Sequence, residues 1–300
     1  MFPLHRECLH VACFDFQAVR NPSQHAVNRP QGEGKPFYEM PNGEACYFRE
    51  TDEVYLRFGD GVRALCQPGP GRAVISTLES DPRSLFVASH LVLTILLIEI
   101  SRRRGWYSLH AAGFSQDGKA ILIPGISGVG KSTLSVALLR AKFDYLSDDM
   151  VFLKRRPDHL AVRGFPEDVD VSDQTIRFFP ELAFLLRSPK TDGFTKRQLR
   201  IKQVYGTKPV LEALPSVIIF PRISRKHESV LAEIDADAAF HEIVPNVLLT
   251  EGRTCQQHLG VLAELVKGAH CYWLDTGQDF DRIPVLLRRL LSRDRELVRG

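Results

Sequence analysis

The stretch Gly125-Ile126-Ser127-Gly128-Val129-Gly130-Lys131-Ser132-Thr133 constrains this chain more than any other. It fits G-x-x-x-x-G-K-[ST] without a gap. The apolar run "AILIP" precedes it and "LSVALL" follows it, so the pattern predicts a strand, a loop and a helix in that order. In such a loop the glycines let successive backbone N–H groups turn inward towards phosphate oxygens, and the positive end of the helix adds to the field. Lys131 would reach the β- and γ-phosphates, and the Ser132 hydroxyl suits Mg²⁺. Gly125, Ser127, Gly128, Val129, Gly130, Lys131, Ser132 and Thr133 are therefore the candidate nucleotide-binding residues.

A second constellation follows the predicted helix. "FDYLS" reads as a strand that ends at Asp148-Asp149, with Asp148 17 positions after Lys131. Strand, helix and strand in that order make a βαβ unit with a right-handed crossover. The C-terminal edge of a parallel sheet is its ligand-binding edge. Neighbouring residues on a strand point to opposite sides, so the two carboxylates need not share a task. One can bind Mg²⁺ directly or through water, and the other can accept a proton from an incoming hydroxyl. His110 lies on the strand "WYSLHAAGFS" just before the loop strand. It is either a core histidine or a group that orients one of the carboxylates.

Around this core the chain divides in two. In residues 1–80, runs such as "ACYFRE", "VYLRFG" and "RAVIST" alternate with "PNGE", "GDG" and "QPGPGR", which predicts a small, mainly β N-terminal domain. Residues 81–300 then form an α/β domain. It begins with a helix over about 82–104, capped by Asp81 and Pro82 and ended by Gly105. Later segments read as strands at "LAVRGFP", "SVIIFP" and "AHCYWLD". Residues 235–249, 250–267 and 280–293 read as helices. "TIRFFPELAFLL" is ambiguous, and "DGFTKRQLRIKQVYG" is polar and loop-rich.

Composition narrows the function classes. A net charge of +3 over 300 residues gives no global field for nucleic acid. The stretch "LFVASHLVLTILLIEI" contains a His and a Glu and is shorter than a membrane span of about 20 apolar residues, so it reads as a buried helix. The opening "MFPLHRECLH" has no uninterrupted apolar run of a signal peptide. Cysteines at 8, 13, 46, 66, 255 and 271 include no C-x-x-C pair. They read as reduced thiols of a cytoplasmic protein.

Together, "LHAAGF", "LIPGISGVGKSTL" and "LLRAKFDYLSDD" resemble the catalytic domain of the HPr kinase/phosphorylase family. The resemblance covers about residues 108–153 and returns at "LAVRG", 160–164. It implies a P-loop kinase core of the HPr kinase and phosphoenolpyruvate carboxykinase type, and ATP-dependent phosphorylation of a serine hydroxyl. Carried over position by position, it makes Lys131 and Ser132 the phosphate and Mg²⁺ residues and Asp148 the catalytic base. Asp149 becomes the base's neighbour on the metal side, and His110 the histidine that contacts the base. Arg163 and Gly164 match a family signature, whereas Ala161 stands where the family has a Glu implicated in the metal site, and Thr133 where it usually has Glu. In "SLHAAG", "LSDD" and the later "FPR" the chain is similar to a divergent branch found with peptide-modification systems, including lasso peptide biosynthesis. That branch phosphorylates a serine at a precursor peptide's C-terminus. The family's hexamers further imply self-association.

The expected reaction is therefore transfer of the γ-phosphoryl of ATP to the serine of a peptide or protein partner, with no role for nucleic acid or membrane. Arg163, Arg197, Arg200 and Arg222 are the arginines available to stabilise the transferring group. Arg197 and Arg200, with Lys196 and Lys202 beside them, could also hold an acceptor's carboxylate. A P-loop ATPase switch and a nucleotide-binding regulator without a hydroxyl acceptor are the alternatives.

Overall fold

Alternating apolar and polar side chains build the first half. The computed structural model describes residues 13–38, 42–165, 167–188, 190, 195–207, 209–224 and 226–297. The opening ten residues, expected to lack a signal peptide, lie outside the described residues, as does 191–194 of the basic stretch. Six strands, β1 (Cys13–Val19), β2 (Gly34–Pro36), β3 (Gly43–Phe48), β4 (Glu53–Phe58), β5 (Val62–Gln67) and β6 (Arg72–Leu78), form one sheet in the order β1-β6-β5-β4-β3-β2. In β5, Val62, Ala64 and Cys66 are buried and the residues between them are not, the period-two pattern of a half-buried strand.

Helix α1 (Pro82–Arg103) follows, its first turn closed by Asp81, which accepts a hydrogen bond from the Arg83 N–H at 3.1 Å. Its 22 residues are long and apolar enough to cross a membrane by composition. In the fold, Val92, Leu96 and Ile100 are fully buried, and the helix also carries two buried charges. Arg102 Nη1 lies 3.0 Å from Glu99 Oε1 and donates to Thr250 Oγ1 at 2.7 Å. Thr250 in turn donates to Glu99 at 2.9 Å. Burial raises the Glu99 carboxyl above its ordinary range, against the pull of Arg102 and Arg103. These contacts draw Leu249–Cys255 into the same compact unit as the β-rich half, which runs to Trp106. The domain boundary expected at residue 80 therefore falls after Trp106, because α1 completes the first unit rather than opening the second.

The second unit holds Tyr107–Leu248 and the residues from Gln256 on. Its strands are β7 (Tyr107–Gln116), β8 (Lys119–Pro124), β9 (Asp144–Ser147), β10 (Met150–Arg155), β11 (Leu160–Gly164), β12 (Val169–Val171), β13 (Arg197–Leu199), β14 (Glu212–Ile223), β15 (Val230–Ile234) and β16 (His270–Thr276). Its longer helices are α2 (Lys131–Arg140), α3 (Asp173–Phe178), α4 (Ala236–Ile243), α5 (Gly252–Gly268, entered from the first unit) and α6 (Arg282–Leu297), besides the single turn Ile201–Val204. The main sheet runs β11-β10-β7-β8-β14-β16-β15, with β9 also on β7, and β12 and β13 pair separately. The ambiguous stretch resolves into α3 and a 3₁₀ segment, Pro180–Arg187.

β8 is apolar on both sides, and both sides are covered. Ile121 and Ile123 pack with Leu138 and Leu287, whereas Leu122 packs with Ile218, Leu262 and Leu265. Strands β8, β14 and β16 are parallel, so their C-terminal ends share one edge. The expected βαβ unit is present with one strand inserted. β8 and β9 run in the same direction, each antiparallel to β7 between them.

β9 and β10 lie end to end along β7, with Gly113 opposite Ser147 and His110 opposite Met150. The gap between the two short strands is Asp148-Asp149. The main chain still pairs there, because the Asp149 carbonyl accepts from the Ala111 N–H at 3.1 Å. Gly164 of β11 packs so closely beside β9 that a Cβ would lie 2.3 Å from the Leu146 carbonyl oxygen. This approach accounts for glycine at the end of "LAVRG".

Candidate active site

The loop between β8 and α2 has backbone that only glycine adopts easily. Gly128 and Gly130 have φ of 95° and 102°, in the left-handed region. Gly130 is also the N-cap of α2 and offers no side chain to its first N–H groups. Elsewhere Asp81, Ser172 and Asp235 cap α1, α3 and α4 with side-chain oxygens. The start of α2 thus differs in leaving its amides and the positive end of its dipole for an outside acceptor. Ile126, Ser127 and Gly128 are exposed at the crest of the loop, and Val129 and Ser132 are half-buried.

Lys131 opens α2 and is buried. Its ammonium donates to the carbonyls of Gly125 and Ile126 and, at 3.0 Å, to His110 Nε2. Burial lowers the pKa of Lys131 against the attraction of Asp149 and Asp148. Because Nε2 of His110 faces an ammonium, the ring proton sits on Nδ1. That nitrogen is 3.3 Å from Asp149 Oδ1. Burial is also the main cause of a lowered pKa at His110, opposed by Asp149 and reinforced by Lys131. Lys131, His110 and Asp149 therefore form a continuous chain from the loop to a carboxylate whose side chain is 72% exposed.

Asp148 turns the other way. It is 9% exposed, and both of its oxygens are occupied. Oδ1 accepts from Ser135 Oγ at 2.9 Å, and Oδ2 accepts from the Asp170 N–H at 3.2 Å. Burial pushes its carboxyl up to about 6, and the two hydrogen bonds limit the rise. The two aspartates do point apart, as the strand alternation implied. The expected pairing is nevertheless corrected, since His110 contacts Asp149 and not Asp148. The cause is register: Met150 lies opposite His110, so the residue just before Met150 reaches the imidazole.

The remaining candidates scatter. Thr133 Oγ1 bonds Thr175 Oγ1 at 3.1 Å and so ties α2 to α3. Arg163 sits on β11 opposite Phe152 and Glu212. Ala161 on the same strand is buried. Arg197 is engaged within the fold: Nε donates to Asp173 Oδ1 at 2.9 Å, and Nη1 donates to the Ser188 carbonyl. Arg222 pairs with Asp275 at 2.8 Å and lies 4.4 Å from the Trp273 ring centre. Arg200 is exposed.

Three contributors escaped the sequence reading. Ser135 is a fully buried hydroxyl within the apolar run "LSVALL", and that misplaced polarity was its one signal. Asp170 acts through its backbone and leaves no trace in composition. Lys196 enters the sequence reading only as a neighbour of Arg197 and Arg200 that could help hold an acceptor's carboxylate, whereas its charge acts on Lys131, His110 and Asp148.

A hard divalent cation fits the oxygen donors here, since Mg²⁺ needs only one or two carboxylates beside substrate phosphates and water. Ser132 and Asp148 would supply them, while no cluster of three or more His, Cys, Asp or Glu exists among the described residues.

The fold is mixed α/β with several sheets, and its glycine-rich loop joins a central strand to a helix. No family model matches the chain, and no curated protein matches it. Among solved structures it is similar to the HPr(Ser) kinase/phosphatase from Coxiella burnetii. That likeness has a TM-score of 0.35 and 15% sequence identity, and covers 64% of this chain and 99% of that one.

Proposed function

We propose that this chain is an ATP-dependent phosphotransferase that moves the γ-phosphoryl group to a hydroxyl, with a serine of a peptide or protein as acceptor. The observation that carries this reading is the meeting of two features at one sheet edge. One is a helix start with no side-chain cap behind two left-handed glycines. The other is the exposed carboxylate of Asp149, joined to the loop lysine through His110.

In this reading the loop amides and Lys131 hold the phosphates and stabilise charge on the transferring group. Lys131 leaves its carbonyl partners for phosphate oxygens, a stronger set of acceptors. Asp149 takes the proton from the acceptor hydroxyl, and His110 orients it through Nδ1–H. Asp148, one helical turn from Ser132 through Ser135, stands with Ser132 on the side where Mg²⁺ would be held. When bound, that ion neutralises charge on the β- and γ-phosphate oxygens. The roles first expected for the two aspartates are thereby exchanged. A precursor peptide ending in serine is the acceptor we favour, because exposed Arg200 lies in the basic stretch and suits a terminal carboxylate.

The test is incubation of the protein with Mg·ATP and a panel of serine-ending peptides, followed by mass spectrometry. The expected result is a gain of one phosphate that Lys131→Met reduces by about 10²-fold or more. ADP formed without any phosphopeptide would instead identify a nucleotide-driven switch. Turnover unchanged in Lys131→Met would remove the reading altogether.

A further inference from the structure

Lys196 lies in a polar segment, yet a series of short contacts fixes it near the glycine-rich loop. Thr133, in the first turn of α2, bonds Thr175 of α3 at 3.1 Å. Asp173, two residues earlier, binds the guanidinium of Arg197 at 2.9 Å and Lys190 at 3.1 Å. Arg197 is paired with Val171 across β12 and β13, and the same small sheet presents the Asp170 N–H to Asp148. The residue immediately before Arg197 is therefore held at the end of this small sheet, next to the start of α3 that Thr133 and Thr175 tie to α2.

The electrostatics agree with this placement. Besides the larger effect of burial, the charge of Lys196 lowers the pKa of Lys131, of His110 and of Asp148. Lys196 is half-buried, and among the described residues it forms no ion pair. The buried carboxylate it acts on, Asp148, already accepts from Ser135 and Asp170. A half-buried ammonium without an ion pair is a ready donor to a phosphate oxygen.

We propose that Lys196 is a second phosphate-binding cation of this site and that its ligand is the γ-phosphoryl group of the nucleotide. The γ position follows from its neighbours. The start of α2, tied to α3 through Thr133, marks the phosphate loop, and Asp148, reached by the small sheet whose strand end carries Lys196, marks the side where Mg²⁺ would be held. Arg197 is then a positioning residue, which holds the strand end that carries Lys196 and touches no substrate. This inference rests on the phosphotransferase reading, and the two can fail separately.

The experiment compares binding of ADP and of the non-hydrolysable triphosphate AMP-PNP, both with Mg²⁺, by calorimetry. In wild-type protein both should bind. In Lys196→Met the affinity for AMP-PNP should fall about tenfold, the scale of one lost charge-assisted hydrogen bond, while ADP stays within about twofold. Lys196→Arg should recover most of the loss. Arg197→Ala should reproduce part of it, with no further loss when combined with Lys196→Met. Equal AMP-PNP affinities in wild type and Lys196→Met would overturn the assignment. A parallel loss of ADP and AMP-PNP would overturn it too, because the cation would then serve the loop as a whole. A wild-type protein that binds neither nucleotide would overturn the phosphotransferase reading itself.

Discussion

Replacing Asp148 by Asn should make the fold more stable at neutral pH, relative to wild type, than at pH 5. Burial places the native carboxyl at about 6, against an ordinary value of 3.8. Between those values the native state binds more protons than the unfolded state, so wild-type stability falls as pH rises. A gap of about two pH units corresponds to ~3 kcal/mol at about 1.4 kcal/mol per unit. From this group alone, moving from pH 5 to pH 7 should remove about 1 kcal/mol. An amide does not titrate and escapes that loss. The amide can keep both contacts, its oxygen accepting from the Asp170 N–H and its NH2 donating to Ser135 Oγ, the arrangement open to the protonated acid as well. The expected pattern is thus a variant close to wild type at pH 5 and ahead of it by about 1 kcal/mol or more at pH 7. Urea unfolding of both proteins at pH 5, 6, 7 and 8 measures the difference directly. A difference that stays constant across that range would refute the reasoning, since the carboxyl would then titrate alike in both states.

Other expectations address the site and the first unit. Asp149→Asn should reduce phosphoryl transfer by about 10²–10⁴-fold, as for a lost general base, with nucleotide affinity nearly unchanged. His110→Ala should lower kcat less than that; equal nucleotide affinity in calorimetry separates both from a damaged loop. Arg200→Ala should raise KM for a free-acid peptide more than for its C-terminal amide, and equal effects on the two peptides would exclude carboxylate recognition. Glu99→Ala leaves Arg102 buried without its carboxylate and should cost about 3–5 kcal/mol, read as a lowered urea midpoint.

What the sequence made legible was whatever one short stretch can specify. The glycine-rich loop needs left-handed backbone at two positions and a lysine at the helix start, and all of it falls within nine consecutive residues. Strands β3, β4 and β6 announce themselves through short apolar runs and bordering turns, and α1 through Asp81, Pro82 and Gly105. The parts that were not legible depend on register and long-range packing. Which aspartate meets His110 depends on Met150 lying opposite it, a pairing across 40 residues. The place of Lys196 depends on Thr133, Thr175, Asp173 and Arg197 in sequence, and no local pattern encodes such a series. The domain boundary was misplaced for a similar reason. Glu99 and Arg102 look like the polar end of a helix until Thr250 is beside them.

That last contact has a bearing on how the chain is made. Thr250 and Glu99 are separated by 151 positions, so the first unit is first in the sequence without being first to finish. As the chain leaves the ribosome, the β-rich half can pair its strands early. Glu99 and Arg102 must nevertheless wait, inside an apolar helix, until residues 249–255 have emerged. At about 5–20 residues per second that wait is roughly 8–30 s. During it, the 22-residue helix lacks part of its cover and is a natural client for a chaperone that binds apolar segments. A fragment ending near residue 106 would remain permanently in that state, and adding 249–255 back as a peptide would supply the missing hydroxyl partner.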